Sequence, residues 1–248
     1  MLVLSLFPGL GLLDRAFEEE GFCVVRGPDL LWGGDIRTFH PPAGKFDGVI
    51  GGPPCQLFSP LKRLNPNAGL KHGDQIPEFG RCISEARPLW FVMENSPLAY
   101  APDLPGYVTT KHVLNNRWLG EVQERTRAFW FATQGGSTLR IEGFAALEAL
   151  DYEPAVTGSA RRVMIRLNGS GRPKRGTKDG KRLGPGWGNR RPLEEMLRLQ
   201  GFAPDALADH PFRTEAAQQM VGNGVPLPMG RAIARAVKDA IKGIEKTA

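Results

Sequence analysis

The chain has 248 residues, of which 41% are hydrophobic and 23% charged, and its formal net charge at pH 7 is +6. This length allows one complete α/β domain with a small inserted lobe. No apolar run is long enough to span a membrane, and an odd number of cysteines without zinc-site spacing argues against a disulfide framework. We therefore expect a cytoplasmic protein with no metal site and with free thiols at Cys23, Cys55 and Cys82.

The first half of the chain alternates predicted strands and helices. Short apolar runs and segments with helical spacing follow one another, separated by turns rich in Gly and Pro. This alternation predicts βαβ units, and therefore an α/β fold with a Rossmann-like, mainly parallel sheet. The predicted strands are residues 2–7, 22–25, 46–50 and 89–93, and the predicted helices are residues 12–21 and 76–87.

The pattern changes after residue 107. Residues 113–114 and 129–132 predict later, hairpin-like strands, whereas residues 135–189 have no clear periodicity. Regular helices return at 192–199 and 229–244, with a predicted turn at 219–226 between them. We therefore divide the chain into a catalytic domain, residues 1–134 and 190–248, and a small inserted lobe, residues 135–189.

Most of the positive charge lies in that lobe. Residues 160–191 contain 11 Lys or Arg and one acidic residue, Asp179, so this stretch carries +10 and the rest of the chain −4. Such a local excess indicates a polyanion partner, most simply nucleic acid. The stretch is also rich in Gly and Ser, so a solvated loop is the alternative interpretation.

A single cysteine follows the third predicted strand, in the sequence Gly-Gly-Pro-Pro-Cys-Gln-Leu-Phe-Ser at residues 51–59. Pro53 and Pro54 restrict the backbone just before the thiol of Cys55. A thiol held by stiff backbone at the carboxyl end of a strand suits an enzyme nucleophile. The alternative is a buried structural cysteine.

Two further motifs carry charge. Glu94 closes the next predicted strand, so a parallel sheet would bring it to the same edge as Cys55, as an acid beside a nucleophile. Arg125 and Arg127 share one face of an extended segment, which suits a phosphate, or a thiolate and a base carbonyl. The structural alternatives are a carboxylate that braces a loop and an exposed, charged edge strand.

The order of these motifs resembles the cytosine-C5 DNA methyltransferase family, of the small bacterial or bacteriophage type, from end to end. Only residues 135–189 fall outside the resemblance, where the family carries its target-recognition region. The motifs that match are the cofactor loop at 7–11, the adenine-contacting turn at 34–36, the catalytic motif at 54–56, the glutamate motif at 94–95, the paired arginines at 123–127, and two closing motifs at 191–202 and 222–226.

The resemblance implies methyl transfer from S-adenosylmethionine to C5 of a flipped-out cytosine in duplex DNA, through a covalent adduct between the cysteine and C6. It also implies a restriction-modification context, with a cognate restriction nuclease and a monomeric enzyme. The implied catalytic residues are Cys55, Glu94, Arg125 and Arg127. The implied cofactor contacts are Phe7, Pro8, Gly9, Gly11, Asp29, Asp35, Ile36, Pro54, Asn223 and Val225. The implied DNA contacts are Gln56, Ser59, Arg172, Lys174 and Arg175.

The chain departs from the family pattern at three places. The family usually has an acidic residue just after the second strand to hold the cofactor ribose, whereas here Arg26 follows that strand and the nearest carboxylate is Asp29. Leu12 stands where a further glycine is common, and Ser96 replaces the usual valine or proline after Glu-Asn. Two alternative functions stay open: a tRNA cytosine-C5 methyltransferase and a non-catalytic DNA-binding paralogue.

Overall fold

The computed structural model describes residues 1–58, 73–143, 153–156, 177–178, 181–182 and 191–242. Ten strands are assigned within these residues, and six of them form the central sheet. The strands are β1 (Leu2–Leu6), β2 (Cys23–Arg26), β3 (Gly48–Gly51), β4 (Trp90–Asn95), β5 (Val108–Asn115), β6 (Gln123–Glu124), β7 (Thr126–Thr133), β8 (Glu153–Pro154), β9 (Thr177–Lys178) and β10 (Lys181–Arg182).

The central sheet has the strand order β2-β1-β3-β4-β7-β5. The four strands from the first half of the chain pair in parallel, and β7 pairs antiparallel with both β4 and β5. Every residue of β3 and β4 is buried, as expected for parallel strands that are covered on both faces. The predicted parallel sheet and its later, hairpin-like strands are therefore confirmed.

Helices cover both faces of this sheet, which makes three layers. The five α-helices within the described residues are α1 (Leu12–Glu19), α2 (Ile76–Ala86), α3 (Leu193–Leu199), α4 (Thr214–Asn223) and α5 (Leu227–Ala240). On one face, Phe17 of α1 and Ile233 of α5 belong to the same buried cluster as Trp90. On the other face, Phe79 of α2 packs against Phe91. In the described part of the chain, no helix has the length and apolar character that a membrane span needs.

One element was predicted wrongly. Residues 219–226 were expected to form a turn, but α4 continues to Asn223 and α5 begins at Leu227, so only the residues between them turn. Gly222 and Asn223 have low helix propensity, which hides the helix in the sequence. Ala217 and Val221 of α4 are buried, and this tertiary packing outweighs the local preference.

The closest approach inside the sheet predicts a sharp loss of stability. A Cβ atom added at Gly48 of β3 would lie 2.1 Å from the ring of Trp90 on β4. Both strands are central, so the rigid ring has no room to move. We expect Gly48→Ala to lower the free energy of unfolding by about 1–3 kcal/mol or more, measured by urea denaturation.

The matched control is Gly135→Ala, because a Cβ atom there would meet nothing within 4 Å. Its free energy of unfolding should stay within about 0.5 kcal/mol of the wild-type value. Equal effects of the two substitutions would contradict the assigned packing of β3 against β4.

Candidate active site

Three strands end at one edge of the sheet and deliver three loops to one cleft. Leu6 of β1 pairs with Gly51 of β3, which in turn pairs with Met93 of β4, so the carboxyl ends of the strands lie level. The loops that follow line a cleft of about 310 Å³. Cys55 and Glu94 both line it, so the expected convergence of thiol and carboxylate is present.

The loop after β1 is a left-handed turn. Phe7 has φ of 56° and Gly9 has φ of 55°, and positive φ is uncommon for a residue with a bulky side chain. Such strain persists only where the surroundings impose it. Here the Gly9 amide donates to the Asp29 carboxylate at 2.9 Å, and the indole of Trp32 donates to the Gly9 carbonyl at 2.8 Å.

Two carboxylates also line the cleft, and both already have hydrogen-bond partners. Asp29 accepts from the Leu31 amide at 2.8 Å as well as from Gly9, so it braces two segments of the wall at once. Asp35 forms an ion pair with Arg37 at 2.6 Å. Hydrogen bonds from Arg37 lower the pKa of Asp35 below its ordinary value.

Gly11 does not lie where the sequence suggested. It caps α1 with φ of 73° and is absent from the cleft wall, because its open face is covered by Arg26. A Cβ atom at Gly11 would lie 2.4 Å from the Arg26 guanidinium. Gly11 therefore allows Arg26 to pack against the turn at the start of α1, and its place in cofactor binding stays a prediction.

Arg26 packs there because of a buried acid that the sequence reasoning missed. Asp14 of α1 is 1% exposed and lines the cleft wall. Its carboxylate accepts hydrogen bonds from Arg26 Nε at 3.0 Å and from the Ser5 hydroxyl at 2.5 Å. Burial raises the pKa of Asp14, while its partners oppose that rise. The sequence feature that could have indicated a buried Asp14 is its position between the apolar residues Leu13 and Phe17 of the predicted helix.

The loop after β3 carries Cys55. The Asn95 side chain donates to the Pro53 carbonyl at 3.0 Å, and the Phe58 amide donates to the Cys55 carbonyl at 3.0 Å. The thiol is thereby held in a short turn between two fixed points. Burial raises the pKa of the Cys55 thiol, and the negative charge of Glu94 raises it further.

Glu94 lies against this loop. A Cβ atom at Gly52 would be 3.1 Å from a Glu94 carboxylate oxygen, so a larger residue at 52 would press on the acid. The other oxygen pairs with Arg127 Nε at 3.0 Å. Burial raises the pKa of Glu94, and the charges of Arg127 and Arg125 oppose that rise. A raised pKa makes the protonated form of Glu94 more accessible than that of an ordinary carboxyl group.

The two arginines have different partners. Arg125 falls between β6 and β7, is 1% exposed, and donates to the backbone carbonyls of Val156, Gly222 and Gly224. The enclosed Arg125 guanidinium thus binds backbone carbonyls, which suits an anchoring role better than contact with a phosphate. Arg125 connects β6 and β7 to the end of α4 through these hydrogen bonds, whereas Arg127 forms an ion pair with Glu94.

Most of the expected cofactor residues meet in the cleft. Those that line it are Phe7, Pro8, Gly9, Asp29, Asp35, Ile36, Pro54, Asn223 and Val225, together with Gln56 from the DNA-contact set. Met220 of α4 also lines it and was missed, because residues 219–226 were taken as a turn. Four expected DNA contacts lie outside the described residues, namely Ser59, Arg172, Lys174 and Arg175.

Comparison with known families now bears on this cleft. Residues 33–164, which are more than half of the chain, match the model of the C-5 cytosine-specific DNA methylases. The chain belongs to this family. The protein is therefore an enzyme that transfers a methyl group from S-adenosylmethionine to C5 of cytosine in DNA.

Relatives cover almost the whole chain. The Type II methyltransferase M.NgoPII of Neisseria gonorrhoeae is 25% identical over 98% of this chain and 96% of its own length. M.FnuDI of Fusobacterium nucleatum, also a Type II methyltransferase, is 25% identical over 99% and 96%. The Type II methyltransferase M.AquIA of Picosynechococcus sp. is 30% identical over 56% of this chain and 74% of its own length.

Solved structures support the Rossmann-like fold. The methyltransferase EhMeth of Entamoeba histolytica has a TM-score of 0.66 at 12% identity, covering 99% of both chains. A mutant of Spodoptera frugiperda DNMT2 has a TM-score of 0.62 at 14% identity, covering 96% of this chain and 99% of its own. At such low identity these similarities concern the fold alone.

The cleft of this methyltransferase fits its cofactor. Its volume lies within the range usual for small-molecule sites. One wall offers carboxylates, from Asp29 and Asp35, and an apolar surface from Leu31 and Ile36, which suit a nucleoside with ribose hydroxyls and a flat base. The cleft is continuous with Cys55, so a methyl donor and the thiol share one space.

The electrostatics of the site predict how thiol reactivity depends on pH. Since the Glu94 charge raises the pKa of Cys55, Glu94→Gln should stabilise the thiolate and move the midpoint of Cys55 alkylation to lower pH. The measurement is the rate of iodoacetamide labelling at Cys55 against pH, read by peptide mass spectrometry so that Cys23 and Cys82 do not contribute.

Glu18→Gln is the control, because Glu18 lies on the exposed face of α1. It should leave the midpoint in place. A midpoint that stays the same, or rises, in Glu94→Gln would contradict the assigned coupling between acid and thiol.

Proposed function

We propose that Cys55 is the nucleophile of this DNA methyltransferase and that Glu94 is its acid. The observation that carries the proposal is the buried Glu94 carboxyl group, which contacts both Arg127 and the loop of Cys55 inside the cofactor cleft. A cytosine that enters this cleft would meet a thiol and a proton donor together. This arrangement suits attack on a ring that needs simultaneous protonation.

The first step activates the base. C5 of cytosine is a weak nucleophile, so the Cys55 thiolate adds to C6 and forms the S–C6 bond. The electron pair of the C5–C6 bond then moves into the ring. Glu94 donates its proton, or a hydrogen bond, to N3 and so takes up that charge. The raised pKa of Glu94 supports this role, because a carboxyl group must carry a proton to donate it.

The second step uses the activated carbon. When bound, S-adenosylmethionine would supply an electrophilic methyl group: C5 bonds to that carbon as the sulfonium S–CH3 bond breaks, and S-adenosylhomocysteine is the leaving group. A base, for which water is a candidate, then removes the C5 proton. The electrons of that C–H bond re-form the C5–C6 double bond and expel the Cys55 thiolate, and a proton donated to N3 returns to Glu94. Arg127 keeps Glu94 oriented and contacts the base carbonyl, while Arg125 anchors the backbone around both.

The cofactor and DNA contacts complete the proposal. We assign cofactor binding to the cleft residues named above, with Asp29 as the carboxylate nearest the family's ribose position. A cytosine inside a duplex cannot reach Cys55, so it must be flipped out, which costs a few kcal/mol. Gln56, Ser59, Arg172, Lys174 and Arg175 are proposed to contact DNA. Residues 1–134 and 190–248 would then catalyse, and residues 135–189 would recognise the target.

The cellular setting is also proposed. The chain aligns over nearly its full length with two Type II methyltransferases, which supports a restriction-modification role with a cognate nuclease. Cys23, Cys55 and Cys82 are all free, which supports a reducing compartment such as the cytoplasm. We propose that the enzyme acts as a monomer, since one chain carries the whole cleft.

The experiment that tests the function is nucleoside mass spectrometry of duplex DNA and of tRNA, each incubated with the protein and S-adenosylmethionine. We expect 5-methyldeoxycytidine from DNA with the wild type and none with Cys55→Ala, because no other thiol in the described part of the chain lines the cleft. Cys82→Ala is the control, since Cys82 is buried in α2 away from the cleft, and it should keep turnover.

Three results would change the assignment. Methylation by Cys55→Ala would remove Cys55 as the nucleophile. Product in tRNA alone would favour the RNA cytosine methyltransferase. DNA binding without product in either substrate, by a folded protein, would favour the non-catalytic paralogue.

The role of Asp29 predicts a loss of cofactor affinity. Replacement by alanine removes the acceptor for both Gly9 and Leu31 and frees the cofactor turn. We expect Asp29→Ala to weaken binding of S-adenosylmethionine on the order of tenfold, measured by isothermal titration calorimetry. Asp209→Ala, at an exposed position between α3 and α4, is the control. Unchanged affinity in Asp29→Ala would refute the assignment.

A further inference from the structure

The residues directly after Glu94 hold the Cys55 turn from both sides. Asn95 donates from its side chain to the Pro53 carbonyl at 3.0 Å, before the thiol. Ser96 donates from its hydroxyl to the Phe58 carbonyl at 2.9 Å, after the thiol. At the end of β4, Glu94 thus supplies an acid, and the next two residues, Asn95 and Ser96, each donate a hydrogen bond to the Cys55 loop.

Ser96 is itself fixed. It is 5% exposed, and its backbone amide donates to the Asn95 side chain at 2.8 Å, so both donors belong to one hydrogen-bonded unit. Because the Phe58 amide donates to the Cys55 carbonyl, a shift at Phe58 reaches the cysteine directly. Two hydrogen bonds thus link the Ser96 hydroxyl to the backbone of Cys55, one to the Phe58 carbonyl and one from the Phe58 amide.

A second contact restrains the same end of the turn. The Phe58 ring meets the Tyr100 ring edge-on, with centroids 5.7 Å apart. Tyr100 donates from its hydroxyl to Asp74, whose other oxygen accepts from the amide of Ile76 at the start of α2. Tyr100 thus restrains the side chain of Phe58, and the hydrogen bond from Ser96 restrains its backbone carbonyl.

We propose that Ser96 is a positioning residue that sets the Cys55 turn against Glu94. Valine or proline, which the family resemblance leads one to expect here, has no hydroxyl and would leave the Phe58 carbonyl without this donor. The adduct step needs the thiol and the acid in a narrow mutual geometry. The proposal rests on the proposed role of Cys55 as the nucleophile.

The test measures formation of the adduct itself. Duplex DNA in which 5-fluorodeoxycytidine replaces deoxycytidine is incubated with the protein and S-adenosylmethionine. Fluorine at C5 cannot leave as a proton does, so the S–C6 adduct persists and is read by denaturing gel. We compare Ser96→Ala, Ser96→Val and Ser96→Thr with the wild type, and use Ser84→Ala, on the exposed face of α2, as the control.

We expect Ser96→Ala and Ser96→Val to slow adduct formation by about fivefold to tenfold, as the loss of one hydrogen bond implies. Affinity for S-adenosylmethionine, measured by calorimetry, should stay within about twofold, because Ser96 is not part of the cofactor cleft wall. Ser96→Thr keeps the hydroxyl and should restore most of the rate, and Ser84→Ala should match the wild type. The split between rate and affinity, and rescue by threonine, separate positioning from a general loss of structure.

Two kinds of result would overturn the proposal. Adduct formation at the wild-type rate in Ser96→Ala would refute it, as would a Ser96→Thr variant as slow as alanine in a protein that melts normally. Cys55→Ala in the same assay shows whether the nucleophile assignment, rather than the role of Ser96, has failed. Adduct with Cys55→Ala, or none with the wild type, would overturn the nucleophile and the role of Ser96 together, whereas capture by the wild type with unaffected Ser96 variants would overturn Ser96 alone.

Discussion

The level parallel pairing of β1, β3 and β4 is the constraint on which the site depends. Their carboxyl ends lie side by side, so the cofactor turn, the Cys55 loop and Glu94 follow three neighbouring strands into one cleft. Parallel pairing also requires helices on both faces, and these bury β3 and β4 completely. The same burial that stabilises the sheet is what perturbs the acid and the thiol at its edge.

Buried charge near the cleft is compensated in two separate places. At the front, Glu94 is opposed by Arg127, and both act on the pKa of Cys55. Behind the cofactor turn, Asp14 is opposed by Arg26, which packs over the turn at the start of α1. Glu94 and Asp14 are both buried, so removing Arg127 or Arg26 would leave a buried carboxylate without its cationic partner.

Much of the fold and of the site was predictable, because the signals are local. Strand and helix alternation in the first half requires only hydrophobic spacing, and it predicted the parallel sheet. Cys55 follows the buried strand β3 and Glu94 lies at the end of the buried strand β4, and the rule that parallel strands end at one edge brings them together. The end of α4 was not predictable in this way, since Gly222 and Asn223 disfavour a helix that tertiary packing nevertheless imposes.

The sequence by itself determined the family's order of motifs, the parallel sheet, and which thiol and carboxylate meet in the cleft. Only the tertiary structure decided what their neighbours do. It encloses Arg125 among three backbone carbonyls, pairs Arg26 with the buried Asp14, and gives Ser96 the Phe58 carbonyl as a partner. The physical reason is that strand ends follow from local pattern and topology, whereas side-chain partners come from residues far apart in the chain, which meet only once the layers pack.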